Sequence, residues 1–300
     1  MNIDICVATY KRPLMLRALL NSLAQLEVND NSLTIIIVDN SPEAEGRDVV
    51  LSFESDNAQL QIRYMQQPEK NISLTRNMAL DNLSSECDVL CFVDDDEYVS
   101  VDWLREMLIV YGSEKADVVF GPVVTVYPDG CPEWVLRSGI FERERQVTGA
   151  ILRHGFTGNV LFNADIAKKE GFRFSKSFGL TGGEDTDFFK RLNGAGKKLV
   201  WCDSALVYEP LDMNRANAKW IFKRAYSNGQ KYGRIYDAER SRASRLLIQA
   251  RYFLYFVIAI SIGPCLLLLR IPRGMRLLQK GFSSLGRVFV FERALLKTYK

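Results

Sequence analysis

Val89-Leu90-Cys91-Phe92-Val93-Asp94-Asp95-Asp96 is the stretch on which the reading of the fold turns. Five apolar residues in a row suit a buried strand and are too few for a helix. A strand buried on both faces belongs to a largely parallel sheet, and such sheets bind ligands beyond the carboxyl ends of their strands. Strand side chains alternate, so Asp94 and Asp96 are expected on one side and Asp95 on the other. Two carboxylates at an open strand end are hard oxygen ligands. They suit Mg²⁺ or Mn²⁺ held jointly with the phosphates of a substrate. The same triplet would also serve as a solvated acidic turn, or as a helix cap before Val101.

The flanking sequence repeats the pattern. Residues 3–8 form a short apolar run ended by Thr9-Tyr10-Lys11-Arg12-Pro13, and residues 14–26 carry leucines at helical spacing. Residues 33–38 read as a second strand, closed by the turn signal Asp39-Asn40-Ser41-Pro42. Further strands are expected at 60–65 and 117–120, and helices at 71–83 and 101–111. Strand and helix in alternation predict an α/β fold with crossover helices. Thr9, Asp39 and the aspartate triplet then meet at one sheet edge. No GxGxxG or Walker A loop follows the first strand, which argues against a dinucleotide enzyme and a P-loop NTPase. Residues 112–211 are less regular, with a turn and strand at 155–162 and a helix opening at 181–192. A helix at 216–232 leads into the C-terminal region.

Composition narrows the function. The chain has 300 residues, 47% hydrophobic and 25% charged, which excludes a disordered or polytopic membrane protein. A single histidine, His154, excludes a His-rich zinc site. Six cysteines without C-x-x-C spacing are expected as reduced thiols. Charge is unevenly divided: residues 1–211 hold 21 Lys+Arg against 32 Asp+Glu, a net −11, and residues 212–300 hold 18 against 4, a net +14. Two domains are expected with that boundary. The basic one surrounds residues 252–269, eighteen without a charge, interrupted by Pro264. A membrane span, an interfacial or re-entrant segment, and a buried soluble helix are the three readings of that stretch. An anionic membrane surface fits the basic flanks better than a nucleic acid. The first residues lack a basic n-region, so no signal peptide is expected and the catalytic part is expected in the cytoplasm. A chain ending near Arg240 is expected to be more soluble and to keep ligand binding.

Gly182-Gly183-Glu184-Asp185-Thr186-Asp187-Phe188-Phe189-Lys190-Arg191-Leu192 is the second constellation. Asp185 lies three and four residues before Phe188 and Phe189, so it is expected on the inward face. Asp187 precedes Lys190 and Arg191 at the same spacings, so it is expected in a surface ion pair. All three acids also complement a helix N-terminus. The two glycines allow backbone to approach a ligand closely.

Taken together, ICVATYKRP, VDNSPE, NISLTRNMAL, FVDDDEYV and GGEDTDFFKRL resemble, in order and spacing, a family 2 glycosyltransferase with a GT-A fold, over about residues 3–235. The pattern is most similar to glucosyltransferases that extend lipid-linked exopolysaccharide of the succinoglycan type. The resemblance implies a mostly parallel, Rossmann-like sheet flanked by helices, with a C-terminal helical, membrane-associating region. It implies a UDP-sugar donor, glucose being the expected sugar, a Mn²⁺ or Mg²⁺ ion, and inversion at the anomeric carbon. By the same resemblance Thr9, Asp39, Arg76, Asp94 and Asp95 would bind the donor, with Asp39 at the base and Arg76 at the phosphates or sugar. Asp96 and Asp94 would hold the metal. Asp185 would be the general base beside Glu184. The acceptor would be polyprenyl-diphosphate-linked or a glycan, at the cytoplasmic membrane face. A Q-x-x-R-W motif is missing, which implies single addition.

The chemistry agrees with the residues by themselves. Inverting transfer needs one base and one cation, and neither a nucleophile nor a histidine. Trp134, following Cys131-Pro132-Glu133, reads either as a loop indole stacking on an acceptor sugar or as a loop residue closing the core. His154 reads as structural or simply exposed. A sugar-nucleotide nucleotidyltransferase is the first alternative, but it would carry a glycine-rich basic loop after strand one. A non-catalytic membrane scaffold is the second, and intact Asp94, Asp96 and Asp185 argue against it.

Overall fold

The computed structural model describes residues 1–237 and 240–290. The chain begins with β1 (Asn2–Thr9), α1 (Pro13–Leu23), β2 (Ser32–Asp39), α2 (Arg47–Asp56), β3 (Gln61–Gln66), α3 (Ile72–Asp81) and β4 (Val89–Asp94). It continues through β5 (Tyr98–Val99), α4 (Trp103–Ser113), β6 (Val118–Phe120), β7 (Val123–Val126), α5 (Glu133–Ser138) and β8 (Asn159–Asn163). Then follow α6 (Asp165–Lys168), α7 (Glu184–Gly194), β9 (Leu199–Trp201), β10 (Val207–Pro210), α8 (Ala218–Tyr236), α9 (Arg242–Leu268) and α10 (Arg273–Val288). Two compact units result. The first comprises Met1–Val124, Arg143–Leu180 and Glu184–Glu209; the second comprises Thr125–Glu142, Thr181–Gly183 and the chain from Pro210 onward.

The first unit is built on a seven-stranded sheet in the order β3-β2-β1-β4-β8-β6-β9. Its strands are parallel except β8, which runs antiparallel to both β4 and β6. Residues alternate between two buried faces, as a sheet covered on both sides requires. Ile3, Ile5, Val7, Cys91 and Val93 pack with α1, α2 and α4. Cys6, Ile36, Val38, Leu90 and Phe92 pack on the other side with α3, α6 and α7. There Phe174 and Phe188 stack with ring centroids 4.2 Å apart. α1 starts with Pro13 in its first turn and buries Leu16, Leu19, Leu20 and Leu23, the leucine face expected from the spacing. α2 had no clear signal, because only Val50 and Phe53 of its ten residues are buried.

Register sets the site. Thr9 of β1 pairs with Asp39 of β2, and Ala8 with Asp94 of β4. Three polar side chains therefore leave adjacent parallel strands at one edge. β4 ends at Asp94, and Asp95 and Asp96 form a turn. The expected strand alternation of Asp94 with Asp96 thus stops one residue too early to apply.

In the second unit α8 and α10 approach closely. A Cβ on Gly229 would lie 1.8 Å from the Ser283 carbonyl oxygen, and one on Gly286 2.0 Å from that of Tyr226. Val135, Ile140, Leu211, Ile221 and Met275 form a small core. Arg276 of α10 donates to the carbonyls of Ser138 at 2.6 Å and Gly139 at 2.8 Å. A chain ending near Arg240 would lose these contacts within the second unit. α9 continues as a helix through Pro264, and 11% of its most apolar window is buried. That overturns the reading of residues 252–269 as a buried soluble helix. The cysteines are free: Cys265 is exposed, Cys131 half-buried and the other four buried. Burial pushes the Cys87 thiol up to about 12.

Candidate active site

The aspartate triplet divides between two arginines. Asp95 is 4% exposed and braces the loop after β1: it accepts from Thr9 Oγ1 at 2.8 Å, the Tyr10 amide at 3.3 Å and Arg12 Nη1 at 2.9 Å. Burial pushes its carboxyl up to about 6, against the pull of the Arg12 guanidinium and with the Asp96 charge adding to the rise. The same Arg12 nitrogen lies 2.9 Å from Asp96 Oδ2. Asp94 instead turns to Arg76, whose Nη2 is 3.2 Å from its Oδ1, and its side chain remains 42% exposed.

Arg76 is the hub of the second group. Asn71 caps α3 by accepting from the amides of Ser73 and Leu74, which places Arg76 on the helix's buried face. Its side chain is 5% exposed and also pairs with Glu184 Oε1 on α7, whose side chain is 3% exposed. One guanidinium therefore joins the end of β4 to the start of α7. The resemblance gave Arg76 to the donor; here its planar fork bridges two carboxylates, a geometry a lysine does not reproduce.

On α7 the face assignment changes. Glu184, with Thr186, Phe188, Phe189 and Leu192, is buried, while Asp185 is half-buried. Asp185 Oδ1 accepts from the Thr186 amide at 2.6 Å. The inward acid is thus Glu184, and Asp185 opens toward solvent at the first turn. Asp187 pairs with Arg191 at 2.9 Å, the ion pair expected from its spacing. Gly182 and Gly183 take φ of +76° and +95°, so both are required by the backbone path into the helix.

Asp39 sits apart from both arginines. It is fully buried and accepts from the Ser41 and Gly46 amides, each at 2.8 Å, and from Tyr64 Oη at 3.0 Å. Its charge and burial push the Tyr64 phenol well above its ordinary value, burial being the larger cause.

Three residues of this region carried no role in the sequence reading. Glu97, directly after the triplet, is 2% exposed and accepts from the Asp94 amide at 2.9 Å. Burial pushes its carboxyl well above the usual range, and the Asp94 charge adds to this. Arg12 stood in the quoted string beside Pro13. Asn159 had no signal: it donates to the carbonyls of Pro122 and Ala205, both at 2.8 Å, and accepts from Trp103 Nε1 at 2.8 Å. That pins the start of β8 opposite Val93. Trp134 belongs to the second unit, where it lies on helix α5 rather than in a loop and is 39% exposed. His154 is exposed, edge-on to the Phe156 ring at 6.3 Å.

Comparison with known proteins places this fold. The family profile described as Glycosyl transferase family 2 matches residues 4–171. The chain is 40% identical over 247 residues to the succinoglycan biosynthesis protein ExoM of Rhizobium meliloti (strain 1021), covering 82% of this chain and 78% of that one. Its fold resembles the Pyrobaculum calidifontis mannosyltransferase PcManGT, solved with GDP-Man and Mn²⁺, with a TM-score of 0.68, 14% identity and coverage of 97% and 88%. It also resembles S. aureus TarS residues 1–349 with UDP-GlcNAc, with a TM-score of 0.56, 15% identity and coverage of 96% and 91%. It spans 55% of the longer TarS chain. The sheet is thus the mostly parallel GT-A arrangement, and with one profile across more than half its length and a close relative across most of it, the chain belongs to glycosyl transferase family 2.

Proposed function

We propose that this chain is an inverting, metal-dependent glycosyltransferase that moves a sugar, glucose, from a UDP-sugar to a lipid-linked or glycan acceptor in exopolysaccharide or other surface-glycan synthesis. The bridge from Asp94 through Arg76 to Glu184 carries this reading, because it ties a strand-end acid to the helix turn that bears Asp185. Identity to a succinoglycan biosynthesis protein supports the pathway class. In the reaction Asp185 accepts the acceptor hydroxyl proton as that oxygen bonds to the anomeric carbon. The bond from that carbon to the diphosphate oxygen breaks with its electron pair, and UDP leaves with inversion. Thr9 and Asp39, both buried, fix the strand ends on the nucleoside side from beneath, Asp95 with Arg12 holds the loop beside it, and Arg76 acts as a positioning residue.

The donor set fits a divalent ion. Asp94 and Asp96 offer hard oxygens, and the half-exposed Asp94 is open to a substrate. Among the described residues no group of three or more metal-ligating side chains converges, so phosphate oxygens would have to complete the coordination of an ion held by Asp94 and Asp96. Mn²⁺ or Mg²⁺, held by Asp96 and Asp94, would supply charge for the leaving diphosphate. UDP-glucose with Mn²⁺ is expected to yield UDP. A nucleotidyltransferase would instead need pyrophosphate to consume the sugar nucleotide, and a scaffold would leave it untouched. UDP-glucose is also expected to raise Tm in a Mn²⁺-dependent way. Asp96→Ala should fold normally and lose the Mn²⁺ dependence; an unchanged dependence would remove Asp96 from the metal site.

The second unit supports association with a membrane, and the face we propose for it is the cytoplasmic one. α9 packs along α10, where Gly281 meets Ala259 and Gly263 meets Leu278. α10 carries Arg273, Arg276, Lys280 and Arg287. A full span of α9 would draw those charges into hydrocarbon, whereas an interfacial helix leaves them among headgroups. Replacing Arg242, Arg245 and Arg251 together by Gln is expected to weaken binding to anionic vesicles by about 3 kcal/mol, roughly a hundredfold. Vesicle sedimentation measures it, and the UDP-glucose thermal shift should stay as in wild type.

A further inference from the structure

The second unit holds a cavity of about 430 Å³ that the transfer reaction does not use. Trp134 of α5, Leu267 at the end of α9, Ile271 and Pro272 of the following turn, and Met275 of α10 form its apolar lining. Its volume falls within the range of small-ligand sites. Two arginines line it, Arg137 and Arg270, against the single acid Glu133. Glu133 pairs with Arg137 at 2.5 Å. Arg270 has no carboxylate partner among the described residues, and its backbone, at φ +57°, closes the turn between α9 and α10. The cavity is therefore cationic at one side and apolar at the other.

Its surroundings identify the occupant. Leu268 and Leu269, beside it, are 84% and 70% exposed, and they continue the apolar surface of α9 to the cavity. A tryptophan and arginines where an apolar helix ends are the side chains that favour a bilayer's headgroup region. Arg276 of α10 braces the wall by donating to the Ser138 and Gly139 carbonyls.

We propose that this cavity seats an anionic membrane phospholipid, its phosphate at Arg270 and Arg137 and the start of its chains along Leu267, Ile271 and Met275. The proposal rests on the reading of the second unit as membrane-associated, and it makes that association a recognition of individual lipids as well as a surface attraction. Charge-assisted hydrogen bonds to phosphate supply the polar half, and the exposed α9 surface gives the chains an exit.

The test uses the full chain and dihexanoyl phosphatidylglycerol below its micellar concentration, with tryptophan emission as readout and Trp134→Phe as the blank. A saturable change is expected in wild type and absent from Trp134→Phe. Arg270→Gln keeps a similar unbranched side chain at the left-handed turn, and it should raise the apparent Kd about tenfold, the loss of one charge-assisted contact. Dihexanoyl phosphatidylcholine and inorganic phosphate should both bind more weakly. An equal response to phosphatidylcholine, an equal affinity for phosphate alone, or an unchanged Kd in Arg270→Gln would each overturn the lipid site. Sedimentation with anionic vesicles is read separately. Its failure would remove the membrane reading, and the soluble lipid still decides the cavity.

Discussion

Replacing Arg76 by methionine is expected to lower unfolding free energy by about 3–5 kcal/mol, the usual loss when one partner of a buried ion pair is removed. The reason is geometric. Glu184 has a 3% exposed side chain, and without the guanidinium its carboxylate stays buried beside an unpaired Asp94. Urea denaturation measures the loss. Arg76→Met combined with Glu184→Met should regain much of the stability, because an apolar pair of similar volume is often as stable as the buried salt bridge it replaces. Transfer should not return, since Asp94 and the first turn of α7 are then no longer joined. A double variant as active as wild type would show that the bridge is structural and nothing more. Arg76→Lys should fall between, retaining charge but not the two-way fork.

Asp185→Asn is expected to slow transfer by roughly 10²–10⁴-fold, the range of general-base assistance, with UDP-sugar affinity near wild type. In the proposed reaction the base touches the acceptor hydroxyl, so donor binding has no reason to change. Asp187→Asn should lose only the Arg191 pair, about 0.3–0.5 kcal/mol of stability, with the rate almost unaltered. Glu184→Gln weakens the Arg76 pair and should reduce stability as well as rate, which separates it from Asp185→Asn. Single-turnover rates at saturating donor compare the three. A fast Asp185→Asn enzyme beside a dead Asp187→Asn enzyme would overturn the assignment of the base.

Much of this was legible in the chain. The runs ending at Thr9, Asp39 and Asp94 announced buried strands, and their order placed three polar residues at one edge. Leucine spacing announced α1, and the Asp187 ion pair followed from its distance to Arg191. What sequence left hidden has physical causes. Composition carries no arrow, so residues 155–162 did not reveal that β8 runs against its neighbours. Periodicity places residues on a helix face only within the helix body. At the first turn of α7 a long-range partner decides, and Arg76 draws Glu184 inward in place of Asp185. Strand alternation failed at Asp96 for a related reason, since the chain turns there to meet Arg12. Asn159 and Glu97 earn their places from contacts distant in sequence, which no local pattern encodes. The contribution of residues 125–142 to the second unit was equally silent.

The reversed strand β8 divides the working edge of the sheet by the direction of chain travel. At Thr9, Asp39 and Asp94 the chain is leaving the sheet, so each side chain is locked to the strand that delivered it. At Asn159 the chain is arriving, and Trp103, Pro122 and Ala205 already hold its docking point. The segment that arrives there, residues 143–158, is itself tied to the acids: a Cβ on Gly158 would lie 2.7 Å from Glu97 Oε1 and 3.3 Å from Asp94 Oδ2, and the Arg143 charge acts on both carboxyls. Variation that spares the acids is therefore confined to the exposed stretch of the incoming chain, residues 144–148, while both ends of that segment are as fixed as the strands that leave.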